Sequence, residues 1–302
     1  MPFFYFRPVK YPYVTPTALD RFIVQALQED MGDGDHSTLA VVPDSAQDCA
    51  IVLMKDSGII AGMTLAERIF KHLDPEMQIE AFVVDGDQVE KGKVLMRLQG
   101  KAQALLSGER LMLNCLQRMS GIATLTRQAA DLVADLPVQV LDTRKTTPNF
   151  RMLEKWAVAI GGGTNHRFGL SDMVMLKDNH IDFAGGIRPA ILAAKAYLAK
   201  NGKNLAIEIE TQDLDQVTEV LQVGQVDVVM LDNMSLEDMA KAVKMIGGRF
   251  KTEASGGVTL ENLRQIAQTG VDYISMGALT HSAKSLDISM KSCAYFNSLT
   301  HN

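Results

Sequence analysis

Beyond residue 137 the apolar positions follow two alternating rhythms. Strand-like runs lie at 138–141, 173–176, 205–209, 226–231, 250–253 and 273–276. Between them, segments 151–160, 187–200, 213–221, 235–246 and 259–268 carry apolar residues at helical spacing. Repeated strand–helix units imply parallel strands joined by right-handed crossovers, hence a doubly wound sheet or an α/β barrel. With six strands, a barrel is incomplete.

The first hundred residues keep a different rhythm. Thr15-Pro16 suits an N-cap and first helical position, and Leu19, Phe22, Ile23, Ala26 and Leu27 continue a helix that stops at Met31-Gly32-Asp33-Gly34-Asp35. That acidic run lacks the spacing of a calcium loop and reads as a solvated turn. Strands are expected at 50–54, 58–63 and 78–84. Thr64-Leu65-Ala66-Glu67 reads as a capping box, and Asp85-Gly86-Asp87 as a hairpin turn. Together these give a small α+β sheet domain. The stretch 102–134 reads as a helix pair or one broken helix, interrupted at Gly108 and Gly121. Residues 1–120 are therefore assigned to an N-terminal sandwich domain with a bridging helix. Residues 121–302 form the barrel domain, with the last residues free to pack back on the first domain.

Composition narrows the function classes. The 302 residues are 47% hydrophobic and 22% charged, within the globular range. Thirty basic against 36 acidic side chains give a net charge of −6, which disfavours nucleic acid and acidic membrane surfaces as partners. No apolar run approaches the length of a membrane span. The aromatic opening MPFFYFRPVKYPYV, broken by Arg7, Pro8 and Lys10, reads as an arm packed on a surface and not as a leader. Cys49, Cys115 and Cys293 are far apart and form no CxxC, so neither a disulfide framework nor a zinc site is indicated, and a reducing cytoplasm is the expected location. Cys115, among apolar helix positions, is expected to be buried and inert.

The polar residues favour a barrel over a doubly wound sheet because they fall at successive strand ends. Asp142, Arg144 and Lys145 follow the first strand of this half, Lys177 and Asp178 the second, and Glu208 and Glu210 end the third. Asp232 follows the fourth, Ser255-Gly256-Gly257 the fifth and Gly277 the sixth. Active sites of α/β barrels are assembled at the carboxyl ends of strands, with phosphate held by the late loops. Residues 142–180 hold six basic against four acidic side chains, net +2 in a chain of net −6, which suits a small anionic ligand. Arg144 and Arg167 fork onto carboxylates, whereas Lys145 and Lys177 act as point charges. Arg151 and Lys155, one helical turn apart, read as cations paired with neighbouring acids. Glu208 and Glu210 share one strand face with Asp232 on the next strand, a placement suited to ribose hydroxyls, Mg²⁺ or a developing cation. For Glu208 a plain ion pair with a lysine of the cluster is an equal alternative.

Four motifs in one order carry a resemblance: Asp142-Thr-Arg-Lys-Thr-Thr-Pro148, Gly161-Gly-Gly-Thr-Asn-His-Arg167, Leu176-Lys-Asp-Asn-His180 and Glu253-Ala-Ser-Gly-Gly257. Gly108-Glu-Arg110 and Glu29-Asp-Met-Gly-Asp-Gly-Asp35 extend it over nearly the whole chain. They resemble the quinolinate phosphoribosyltransferase family. The resemblance implies an N-terminal α/β sandwich, an incomplete α/β barrel, a homodimer or higher assembly, and quinolinate, phosphoribosyl pyrophosphate and Mg²⁺ as ligands. It implies that Arg144, His166, Arg167 and Lys177 meet the quinolinate carboxylates, with Arg110 arriving from a second subunit. Lys145 would lie toward phosphoribosyl pyrophosphate, Glu210 and Asp232 at the ribose hydroxyls and metal, and Ser255, Gly256, Gly257, Gly277 and His281 at the 5′-phosphate. Lys145, Lys177, Glu210 and Asp232 are the implied catalytic set. One departure is Leu111-Met112, where a smaller residue is expected.

Three other readings remain. One is a ModD-type homologue with another substrate, against which the complete Leu-Lys-Asp-Asn-His counts. The others are a Schiff-base aldolase using Lys177 and a phosphosugar-binding module without turnover.

Overall fold

Thr15 accepts a hydrogen bond from the Ala18 amide, Pro16 occupies the first turn, and the helix so opened, α1 (Pro16–Met31), buries Leu19, Ile23 and Leu27. The structure, a computed structural model, describes residues 11–294. Most of the aromatic arm read from the sequence lies outside them; of its described residues, Tyr11 and Tyr13 stack with ring centroids 6.0 Å apart. Internal contacts divide the chain into two units, one formed by the described parts of 1–125, 148–161 and 283–302, the other by 126–147 and 162–282.

In the first unit, α1 is followed by α2 (His36–Val41), capped by Asp35, whose carboxylate accepts from the amide and hydroxyl of Thr38. The acidic turn thus ends in a helix cap. A four-stranded antiparallel sheet has the order β12-β1-β5-β3, from β1 (Gln47–Met54), β3 (Gln78–Ala81), β5 (Val94–Lys101) and β12 (Ile288–Ser292). A two-stranded ribbon pairs β2 (Gly58–Ile59) with β4 (Gln88–Val89). Sequence reading missed β5 and β12, and Asp85-Gly86-Asp87 does not close a hairpin, since β3 pairs with β5 and β4 with β2.

The expected capping box is also corrected. Helix α3 (Met63–Leu73) begins one residue before Thr64, and its N-terminus is satisfied from afar by the half-buried Asp85, which accepts from the amides of Gly62 and Met63 at 2.6 and 2.8 Å. Helix α4 (Ala102–Leu132) is unbroken over 31 residues and continues from the first unit into the second. Its glycines mark close approach: a Cβ on Gly108 would strike Phe70 and Leu73, and one on Gly121 the backbone of Lys284. Leu111 and Met112, the residues expected to be smaller, are both buried on α4. Helix α5 (Arg151–Ile160) also belongs to this unit, where Arg118 bridges the fully buried Glu154 at 2.9 Å and donates to the Ala283 carbonyl at 2.7 Å. Cys49 and Cys293 form a disulfide, which corrects the reading of the cysteines; Cys115 is buried as a free thiol.

The second unit holds a six-stranded parallel sheet of order β6-β11-β10-β9-β8-β7. Its strands are β6 (Gln139–Leu141), β7 (Val174–Leu176), β8 (Ile207–Thr211), β9 (Val228–Asp232), β10 (Lys251–Ser255) and β11 (Tyr273–Ser275). Helices α6 (Asp178–Ala184), α7 (Ile187–Lys200), α8 (Leu214–Val223), α9 (Leu236–Ile246), α10 (Leu260–Ala267) and α11 (Ala278–His281) follow successive strands from β7 onward. In chain order each strand neighbours the next, and the last returns to β6, which is barrel order left open between β6 and β7. One bridge, Leu141 with Thr164, extends the β6 edge. Alternation divides the strands cleanly. Ile207, Ile209, Val229, Leu231, Ala254 and Ile274 are buried, aliphatic and share one face. The other face carries Glu208, Glu210, Asp232, Glu253 and Ser255.

Candidate active site

The carboxyl edge of the parallel sheet gathers three groups of side chains, all within the second unit. The first surrounds His166. Its Nε2 lies 2.9 Å from Glu208 Oε2 and 3.4 Å from Glu253 Oε2. The buried Asp142 accepts from the His166 amide at 2.9 Å and from Asn165 Nδ2 at 2.6 Å. Glu208 therefore pairs with a histidine, where the sequence suggested a lysine.

Burial opposes charge on His166, but hydrogen bonds to Glu208 and Glu253 and their charges outweigh it and raise its pKa. The Arg167 amide, 2.7 Å from Nδ1, works the other way; as a single dipole it is weaker than two buried carboxylates. Burial first, then the charge of Glu253, raises Glu208 to about 7 against the pull of His166.

Arg167 sits at the end of the same segment, its Nη1 donating to the Met173 carbonyl at 3.3 Å. Burial and then the charge of Arg144 lower its pKa. Two guanidinium groups near enough to perturb each other have the chemistry to take an anion with more than one carboxylate or phosphate oxygen pair.

The second group joins Lys177, Glu210 and Asp232. Lys177 Nζ lies 3.6 Å from Glu210 Oε2. Burial and then Asp232 raise the pKa of Glu210, so these two carboxylates on neighbouring strands sense each other. Asp232 Oδ2 accepts from Asn233 Nδ2 at 2.7 Å, and the Asn233 amide donates to the Ser255 carbonyl at 2.9 Å. Asn233 has φ +54°, a left-handed conformation that asparagine tolerates better than most residues. Gly256 and Gly257, with φ +95° and +60°, turn the chain after β10 in a conformation that favours glycine.

The third group joins Lys145, Gly277 and His281. A Cβ on Gly277 would lie 3.1 Å from His281 Nε2 and 3.2 Å from Lys145 Cδ, and Thr280 Oγ1 donates to the Lys145 carbonyl at 2.8 Å.

Twelve of the thirteen residues expected at the site thus lie in one unit at one sheet edge. The thirteenth, Arg110, is exposed on α4 in the other unit. Sequence reasoning underused Asp142, Glu253 and Asn233. Their only local signal is a polar residue at the end of an apolar strand, the same signal that marked Asp232.

Comparison with known proteins identifies the family. Residues 35–120 match the family described as "Quinolinate phosphoribosyl transferase, N-terminal domain" and residues 122–291 its "C-terminal domain". "Quinolinate phosphoribosyltransferase [decarboxylating] 1b" of Nicotiana tabacum is 47% identical over 296 residues, covering 93% of this chain and 84% of that protein. "Nicotinate-nucleotide pyrophosphorylase [carboxylating], chloroplastic" of Arabidopsis thaliana is 47% identical over 288 residues, covering 90% and 82%. Among solved structures, NadC from Streptococcus pyogenes superimposes with a TM-score of 0.86 at 41% identity, covering 92% of this chain and 97% of that one. No helix among the described residues is long and apolar enough to cross a membrane.

Proposed function

Because the chain belongs to the quinolinate phosphoribosyltransferase family, we propose that it transfers the phosphoribosyl group of phosphoribosyl pyrophosphate to quinolinate with loss of CO₂, making nicotinate mononucleotide for NAD biosynthesis. The observation that carries the reading is the Lys177–Glu210 contact of 3.6 Å, where a cationic cluster meets a carboxylate pair at one sheet edge. A dicarboxylate needs the first, and a sugar developing positive charge needs the second.

In this reading Arg144, His166, Arg167 and Lys177 orient the two quinolinate carboxylates, and Arg110 of a second copy completes the pocket. Lys145 faces phosphoribosyl pyrophosphate, and Ser255, Gly256, Gly257, Gly277 and His281 hold the 5′-phosphate. The bond from ribose C1 to pyrophosphate breaks and its electron pair leaves with pyrophosphate. The ring nitrogen then gives its lone pair to C1. Glu210 and Asp232 stabilise the positive charge that grows on the sugar, each such contact being worth about 3 kcal/mol. The bond from C2 to its carboxylate breaks next, leaving its electrons on C2 beside the cationic nitrogen, and C2 takes a proton.

Glu210 and Asp232 also fit a divalent cation, since the repulsion that raises the Glu210 pKa is what a hard cation held by one or two carboxylates relieves. Bound there, Mg²⁺ would neutralise the leaving pyrophosphate. The assembly in this reading is a homodimer or larger. Its location is the cytoplasm, where the Cys49–Cys293 pair would be held as thiols. No observation favours the aldolase or sugar-binding alternatives. The test mixes the protein with quinolinate, phosphoribosyl pyrophosphate and Mg²⁺. Equal yields of CO₂ and nicotinate mononucleotide are expected; if neither forms, and nicotinate is also unreactive, the reading fails.

A further inference from the structure

Beneath the cationic cluster lie three acids that the reaction scheme leaves unused. Asp142, Glu208 and Glu253 are 0, 0 and 1% exposed; Asp142 directly follows β6, while Glu208 and Glu253 lie within β8 and β10, so that all three belong to alternate strands of the sheet. Alternate strands build one layer of a barrel interior, where aliphatic side chains are usual. Buried carboxylates there are costly unless each is engaged. The Oε1 atoms of Glu208 and Glu253 lack a hydrogen-bond partner among the described residues, so the cost is borne for something else.

All three acids close on one segment, residues 162–167. Asp142 holds the Asn165 side chain and the His166 amide, while Glu208 and Glu253 hold His166 Nε2 between them. The imidazole is 8% exposed, and its Nδ1 faces the Arg167 amide at 2.7 Å. The segment starts with two glycines, the first at φ +98°, and forms no helix or named strand of its own. It runs along the unpaired β6 edge, where Thr164 makes the single bridge.

We propose that Glu208 and Glu253 are positioning residues that clamp His166 into the open side of the sheet and thereby fix Arg167 against the carboxylates of the substrate. The identity of that substrate rests on the transferase reading above. The clamp replaces the order that a strand would have given this segment. It acts on the dicarboxylate subsite and leaves the phosphoribosyl subsite, formed by Lys145, Glu210, Asp232 and the loops after β10 and β11, as it is.

Glu208→Leu and Glu253→Leu remove the acceptors at similar volume, and Glu208→Gln and Glu253→Gln retain one. The leucine variants are expected to raise the KM for quinolinate about tenfold or more, with the KM for phosphoribosyl pyrophosphate unchanged and with recovery in the glutamine variants. Folded leucine variants with an unaltered quinolinate KM, or with both KM values raised alike, overturn the clamp. A readout independent of turnover uses protein labelled with ¹⁵N-histidine. His166 should show a slowly exchanging, hydrogen-bonded Nε2–H in the parent protein, whether or not the variants fold, and absence of that signal overturns the proposal. If the parent gives the signal but no turnover, the transferase reading fails and the clamp stands.

Discussion

The Asn233 side chain occupies the space that Gly256 leaves empty. A Cβ built on Gly256 would overlap Asn233 Oδ1, Cγ and Nδ2, so these two residues, at the ends of β9 and β10, fit only as they are. From the same place Asn233 donates to Asp232 and, through its backbone, to Ser255.

Gly256→Ala should therefore push Asn233 off Asp232 and also strain a backbone at φ +95°. We expect the KM for phosphoribosyl pyrophosphate to rise about tenfold, the equivalent of about 1.4 kcal/mol, with the quinolinate KM little changed. Steady-state kinetics with each substrate varied in turn will show it; equal effects on both would place the loop outside the phosphoribosyl subsite.

Asp85 is the distant cap of α3. Asp85→Ala leaves the amides of Gly62 and Met63 at the helix start without their acceptor. The expected loss is about 2 kcal/mol, visible as a lower denaturant midpoint. A change below about 0.5 kcal/mol would mean that water replaces the carboxylate at no cost.

Thiol counting separates the three cysteines. Burial pushes the Cys115 thiol up to about 12, so it should not react at neutral pH in the native protein. Oxidised protein should show no reactive thiol when native, one when unfolded, and three after unfolding and reduction. The Cys49–Cys293 bond closes a loop of 244 residues, and Cys293→Ser should lower the stability of the oxidised protein by about 2 to 4 kcal/mol.

The His166–Glu208 pair sets a pH dependence. Both groups have folded pKa values above their unfolded ones, for Glu208 about 7 from 4.5. Such groups contribute stability at low pH that is lost as pH rises, for Glu208 between about 4.5 and 7 and for His166 from about 6.5 upward. Between pH 5 and 9 the parent should lose stability relative to Glu208→Gln by an amount on the order of 2 kcal/mol. Parallel pH profiles would count against a strained carboxyl at this position.

The shared site has its own test. Arg110→Ala and Lys177→Ala chains, each inactive alone, should regain up to one working site per dimer when mixed. No recovery after subunit exchange would assign both residues to the same chain's site.

The sequence made the parallel half legible because its information is local. Most of the six strands are short apolar or alternating runs, and the candidate site residues follow or end them. What escaped is what depends on partners far along the chain. Gly108 and Gly121 look like breaks in α4 but are points where Phe70 and the Lys284 backbone come close. The cap on α3 comes from Asp85, beyond the helix, so the local Thr64–Glu67 pattern pointed to the wrong start. Strand β12 is five residues long, the last two of them exposed, too short to stand out, and its partner β1 lies more than two hundred residues earlier. The acids around His166 were visible as residues, but only the strand order that sets β6, β8 and β10 at alternate positions lets them converge on the segment of His166.

The return of β12 to β1 also bears on the order in which the protein is made. During synthesis β1 can pair with β5 as soon as residue 101 emerges, but its other edge finds β12 only after residue 292. For that interval the nascent first unit carries an open row of backbone donors and acceptors, the feature that drives strand-to-strand aggregation. A chain stalled or cut between residues 282 and 288 would keep that edge bare while its parallel sheet was already complete.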